Sequence, residues 1–260
     1  WAVADRAMDA EPIALQGRSG VLKGTLVNPH ASAPLVVVFR GVAFARPQPG
    51  DRGYLGLAED IADYGFAALY VSFRGFEESP GVFTMSGWAQ DAMTVMSYAS
   101  TLGFDQIAIV GASAGAAIGL RHVALHHGVA GVAALASDAL IAQTFPRAYV
   151  SEFLSKVAQA APTRPAAAAL PDPAVFYADL VAHDPIDVIA RISPTPVLLV
   201  QGDADEFVSL DTARQLFDAA QQPKELRIIP GAGHVLRRDP RAVSAVVEWL
   251  RAVTATPGDS

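Results

Sequence analysis

The sequence contains no cysteine. That excludes disulfides, thiolate metal centres and a cysteine nucleophile; it fits the cytoplasm, although exported proteins also dispense with disulfides. Positive charge is scarce: 19 Lys and Arg stand against 26 Asp and Glu, giving a formal net charge of -7 with no basic block. Nothing here would neutralise a phosphate backbone, so no nucleic-acid partner is expected. Long apolar runs are missing too. The mean hydropathy of +0.30 comes largely from alanine, and the most apolar stretches are interrupted by Arg40, by His126 and His127, or by Asp138. No membrane span is therefore expected. The chain opens Trp1-Ala-Val-Ala-Asp5-Arg6, with neither an initiator Met nor an apolar leader core, which reads as a processed or cut start.

Apolar material is plentiful. Hydrophobic residues make up 52% of the 260 and charged ones 17%, which supports a packed core and excludes a disordered chain. The length suits one α/β domain over 1–260 carrying an insertion, in preference to two equal domains. After strand-like pieces around Val21 to Val27, short apolar runs alternate with longer helical patterns, the signature of a parallel sheet. Leu35-Val-Val-Val-Phe39 and Phe66-Ala-Ala-Leu-Tyr-Val71 are continuous apolar runs, as expected of strands covered on both faces. Ile107 to Val110, Val132 to Leu135, Val197 to Val200 and Leu226 to Ile229 repeat the pattern. Ser86 is placed to cap a helix carrying Trp88, Ala92, Val95, Met96 and Ala99 at helical spacing. Asp239-Pro240 starts a last helix with the stripe Val243, Val246, Val247 and Leu250.

The alternation fails from about 138 to 193, where Pro146, Pro162, Pro165, Pro171, Pro173 and Pro185 break the chain and Ala166 to Ala169 form a low-complexity run. This segment reads as an inserted cap. Its Phe145, Tyr149, Phe153, Phe176 and Tyr177 either line a pocket over the sheet edge or form a satellite core.

Three residues carry the chemistry. Gly111-Ala-Ser113-Ala-Gly115 follows the strand Ile107 to Val110 and opens a helical pattern, the context of a nucleophile elbow: a sharp turn exposes the serine hydroxyl and tolerates only small neighbours. A dinucleotide-binding turn fits less well, because Ser113 stands where that motif needs its second glycine. Asp205, in Gln201-Gly-Asp-Ala-Asp205-Glu-Phe-Val208, sits at the carboxyl end of a strand, with Asp203 and Glu206 as competitors and Ser209 as the next helix cap. His234 follows Pro230-Gly-Ala-Gly, whose glycines let the loop bend an imidazole over the sheet. His122 and His126, at i, i+4 spacing, have the separation of metal ligands; without a following Glu or a third ligand they read better as part of a packed helix, and no metal is expected.

The order Ser113, Asp205, His234, each after a strand, resembles the α/β-hydrolase superfamily over nearly the whole chain. Phe73-Arg74-Gly75 through Ser79-Pro-Gly81, with Trp88 and Asp91, is similar to the corresponding turn and helix in small feruloyl or cinnamoyl-type esterases, dienelactone-hydrolase-like proteins and S15 peptidase-like proteins. Pro194 to Gly202 resembles their acid-bearing strand. The resemblance implies an α/β-hydrolase fold with a mostly parallel sheet, and a cofactor-independent serine hydrolase acting on a small carboxylic ester. Ser113 attacks, His234 shuttles the proton, and Asp205 holds the imidazole. It also implies an oxyanion hole from the N–H groups of Ala114 and Val42. Relatives often read His-Gly-x where this chain has Arg40-Gly41-Val42. Arg40 thus either reaches a substrate carboxylate or phosphate beside Gly41, or forms a structural ion pair. The same triad cuts amides and thioesters, so peptidase, amidase and thioesterase activities remain alternatives. A non-catalytic binding protein on this fold is an alternative of another class, although such proteins usually lack a triad member. The sequence does not specify an oligomeric state.

Overall fold

The computed structural model describes residues 9–30, 33–43, 49–160 and 170–255. Eight strands form one sheet: β1 (Ala10–Gly17), β2 (Gly20–Val27), β3 (Leu35–Phe39), β4 (Ala67–Val71), β5 (Ile107–Ala112), β6 (Gly131–Leu135), β7 (Val197–Gly202) and β8 (Lys224–Ile229). Their order is β1-β2-β4-β3-β5-β6-β7-β8. β1 pairs antiparallel with β2, and β2 antiparallel with β4. All pairings from β4 through β8 are parallel. The expected runs all became strands. β1, which the sequence reading did not separate from β2, has a largely exposed pattern that carries little periodic signal.

The side chains of β3 alternate between two apolar cores. Leu35, Val37 and Phe39 join the cluster beneath α2 (Met85–Ala99) and α3 (Ala114–His126), whereas Val36 and Val38 join that beneath α1 (Gly53–Asp63) and α8 (Pro240–Val253). Every residue of β3 and β4 is buried, as strands sandwiched between helices require. The helix α1 was not expected from sequence. It begins at Gly53, whose N–H donates to Asp51 Oδ1 at 2.9 Å, and Leu57, Ala58, Ile61 and Ala62 pack against the sheet.

Capping differs from expectation at α2. Thr84, not Ser86, is the N-cap, its hydroxyl accepting from the Gly87 N–H at 2.9 Å. Ser86 lies within the first turn, where its N–H and hydroxyl are held by Asp179. Asp239 caps α8 and Pro240 fills its first position as expected.

Between β6 and β7 the chain leaves the sheet through α4 (Ile141–Thr144), α5 (Val150–Ala160) and α6 (Pro173–Val181). Two short 3-10 turns, Pro185–Asp187 and Ile189–Arg191, lead back to β7, which precedes α7 (Leu210–Ala219). Pro162, Pro165 and the alanine run 166–169 lie outside the described residues. Among those residues, no helix is long and apolar enough to cross a membrane.

Candidate active site

Ser113 is the single residue between β5 and α3. Its backbone lies at φ 52° and ψ -125°, a left-handed conformation rare for a residue with a Cβ. The turn is held because the Ser113 N–H donates to Leu135 O on β6 at 2.8 Å. The flanking glycines are steric necessities. A Cβ at Gly111 would lie 2.6 Å from Gly115 O, and one at Gly115 would strike the carbonyl oxygens of Phe39 and Arg40. The small residues of the motif thus let β3, β5 and α3 meet beneath the hydroxyl.

Two other loops converge on that hydroxyl. His234, in the loop after β8, places Nε2 3.2 Å from Ser113 Oγ. Its Nδ1 lies 3.0 Å from Asp205 Oδ2, in the loop after β7. A carboxylate only accepts, so Nδ1 carries the proton and Nε2 presents its lone pair to the serine. The Asp205 side chain is fully buried. Burial alone would raise its pKa, but hydrogen bonds from His234 and from the N–H groups of Val208 and Phe207 outweigh it and hold the acid below its ordinary value.

The neighbouring carboxylates are accounted for differently. Asp203 accepts from the Gly231 N–H at 2.6 Å, bracing the histidine loop, and Glu206 is exposed. Gln201 at the end of β7 went unnoticed in the sequence. Its amide donates to Asp205 Oδ2 and to Val208 O, each at 2.9 Å. Nothing in a strand-terminal glutamine signals this from sequence, because the contact depends on how the following loop folds back.

Above Ser113 lies a cleft that is predominantly apolar in its lining. Val42 and Ala114 line it beside Ser113 and His234, and Phe145 and Phe153 close it from the segment after β6. Phe145, for which the sequence left open a pocket wall or a satellite core, lines the cleft. Gly41 is tucked under the site instead: a Cβ there would lie 2.6 Å from the Tyr54 hydroxyl and 3.1 Å from Ser113 Cβ. Tyr149 points to solvent with 58% exposure and is not part of the lining. Phe176 is buried in the core against Phe83.

Arg40 takes the structural one of the two roles that the sequence leaves open. Its guanidinium is buried, 3.0 Å from Glu77 Oε1 and within 3.4 Å of Ser72 Oγ. It lies 4.3 Å from the Phe76 ring centroid, while its Nε donates to Gly41 O at 3.2 Å. A cation in this apolar setting requires a paired carboxylate, and Glu77, itself in a left-handed backbone conformation at φ 48°, supplies it. Arg40 therefore braces the Gly41-Val42 loop from behind.

The buried Arg74–Asp91 pair, 2.7 Å between Nη2 and Oδ1, ties the turn after β4 to α2, and the Trp88 indole donates to Arg74 O at 3.1 Å. The His122 and His126 rings lie against each other, tilted by 44° with centroids 4.8 Å apart. Burial, with the neighbouring His126 adding to it, pushes His122 down to about 4. Among the described residues, no three side chains of metal-ligating type cluster.

Comparison with known proteins agrees with this architecture. A 28% identical protein of Mycobacterium tuberculosis, itself uncharacterised, aligns over 230 residues, covering 85% of this chain and 71% of its own. The uncharacterised YfhR of Escherichia coli is 23% identical over 231 residues, 87% of this chain and 74% of its own. Among solved structures, an esterase of Pyrococcus furiosus superposes with a TM-score of 0.72 at 16% identity, covering 98% of this chain and 95% of its own. The α/β hydrolase GrgF of a Penicillium species superposes with a TM-score of 0.71 at 19% identity, covering 95% and 100%. The family model described as the alpha/beta hydrolase family matches residues 51–246, from the loop before α1 into α8. With the sheet order, the strained serine turn and this match over most of its length, the chain belongs to the alpha/beta hydrolase family.

Proposed function

We propose that the protein is a serine hydrolase that cleaves carboxylic esters. The observation that carries this reading is the hydrogen-bonded chain from Ser113 Oγ through His234 to the buried Asp205, set at the floor of an apolar cleft. Ser113 Oγ attacks the ester carbonyl carbon while His234 Nε2 takes its proton. The resulting oxyanion is stabilised by the backbone N–H groups of Ala114 and Val42, aided by the amino end of α3. The tetrahedral centre collapses, the ester C–O bond breaks, and His234 returns the proton to the leaving alcohol. Water, deprotonated by His234, then releases the acid and restores Ser113. Asp205 fixes the imidazole tautomer and stabilises its charged form. No cofactor takes part in this sequence of steps. The segment over about 138–193 acts as the cap that shapes the substrate pocket, through Phe145 and Phe153.

The test is hydrolysis of p-nitrophenyl esters of increasing acyl length by wild type and Ser113→Ala. Wild type is expected to turn over the shorter esters, with kcat in the variant lower by at least ~10³-fold. A fluorophosphonate probe should label wild type and not the variant, since only an activated serine reacts. Equal turnover by both proteins would remove Ser113 from the reaction. Turnover of amides or thioesters in place of esters would transfer the same triad to a different substrate class.

A further inference from the structure

Among the described residues, the cleft contains one acidic group that the triad does not use. Asp138 follows β6, and Ala136 at φ 50° turns the chain so that both residues line the cavity. The Asp138 side chain is about nine-tenths buried, with 9% relative exposure for the residue. Its Oδ1 is buried and meets no hydrogen-bond partner among the described residues. An unpaired carboxyl oxygen in an apolar cavity is costly, and a donor on a bound ligand would relieve that cost. Burial, with Asp184 nearby adding to it, pushes Asp138 up to about 6, while the Thr144 hydroxyl and the N–H groups of Ala139 and Leu140 partly oppose that rise.

We propose that Asp138 makes the cleft selective for substrates bearing a hydroxyl on an otherwise apolar frame, the hydroxyl pairing with Asp138 Oδ1. This rests on the ester-hydrolase reading of the same cleft. A hydroxyl suits the position better than an ammonium. It pairs with the carboxyl in either protonation state, donating to the carboxylate or accepting from the acid, whereas an ammonium pairs only with the carboxylate. An ammonium would also be stripped of a larger hydration energy among Phe145, Phe153 and Val208. The hydroxyl belongs to either the acyl or the alcohol part of the ester.

The experiment compares matched ester pairs in which a terminal hydroxyl is replaced by methyl, in one series on the acyl chain and in another on the alcohol. The readout is the ratio of kcat/KM within each pair, so a general loss of activity in a variant cancels. In at least one series, wild type is expected to favour the hydroxyl partner by roughly tenfold to a hundredfold over the ratio shown by Asp138→Ala. Asp138→Asn, which keeps the shape and a weaker acceptor, should fall between them. Unchanged ratios in both series would overturn the proposal, and preference for an amino over a hydroxyl partner would reassign the site to cations. If no ester is turned over, the hydrolase reading fails separately. The hydroxyl preference is then read by calorimetric binding of hexane-1,6-diol against heptan-1-ol in the same proteins, where equal ratios in wild type and Asp138→Ala would again overturn it.

Discussion

Ser113 shows how one strained residue is kept in place. Its left-handed φ of 52° is tolerated because the N–H bond to Leu135 and the packing of Gly111 and Gly115 leave no room to relax. Gln201 does comparable work for the acid, since its amide and two backbone N–H groups fix the Asp205 carboxylate. Gln201→Leu should therefore lower kcat by about tenfold with little change in KM, because it disturbs the orientation of His234 and not the cleft. Steady-state kinetics on one ester checks this, and a rise in KM alone would count against it. Asp138 acts in the opposite sense on stability. Its pKa rises from 3.8 to about 6 on folding, so its favourable contribution is complete below 3.8 and lost as pH climbs through about 6. At pH 7 the ionised side chain costs on the order of 3 kcal/mol. Asp138→Asn should be the more stable protein at neutral pH, with the gain shrinking toward pH 4, as measured by urea unfolding at several pH values.

Between elements, the decisive contact is a borrowed cap. Asp179 on α6 accepts from the N–H groups of Met85 and Ser86 and from the Ser86 hydroxyl, satisfying donors at the start of α2 that lie 94 and 93 residues away in sequence. The same residue's carbonyl accepts from His183 Nδ1 at 2.7 Å, tying the residue just past the end of α6 back to its last turn. Asp179→Ala should lower stability by roughly 1–2 kcal/mol, readable as a fall in Tm. Because Met85 and Leu180 both line the cleft, the same change should alter acyl-length preference. An unchanged melting curve would mean that water replaces the cap without loss. The sequence marked α2 through its apolar spacing yet assigned its start to Ser86, because Thr84 and Ser86 are equally good local caps and the choice is made by a carboxylate from α6.

At the scale of the molecule, two apolar layers enclose the sheet and its carboxyl edge gathers the loops that hold Ser113, Asp205 and His234. An ion pair ties the histidine loop to the segment before α1. Asp51, before α1, binds Arg237, three residues after His234, at 2.6 and 2.7 Å. The Arg237 hydrogen bond holds Asp51 down at about 2 despite burial. A depressed acid stabilises above its unfolded value of 3.8 and ceases to do so as pH falls through about 2. Asp51→Asn should therefore be less stable than wild type at neutral pH, and the two denaturation curves should converge as pH approaches 2. A constant difference over that range would show that the pair acts through packing and not through charge.

Composition, apolar alternation and the serine turn by themselves determined the α/β architecture, seven of the eight strands and the nucleophile-elbow position of Ser113, and they marked the loops after two later strands as the ones that join it. Those features are local: a buried strand needs a continuous apolar run, and a strained turn needs small residues at fixed offsets. Tertiary structure decided what depends on partners distant in sequence. Arg40 could not be assigned until Glu77 and Phe76 were seen against its guanidinium. Asp205 was separated from Asp203 and Glu206 only by where the histidine loop comes down, and Tyr149 and Phe145, four residues apart, went to solvent and to the cleft. Burial and pairing are properties of the folded neighbourhood, and a residue's own type does not carry them.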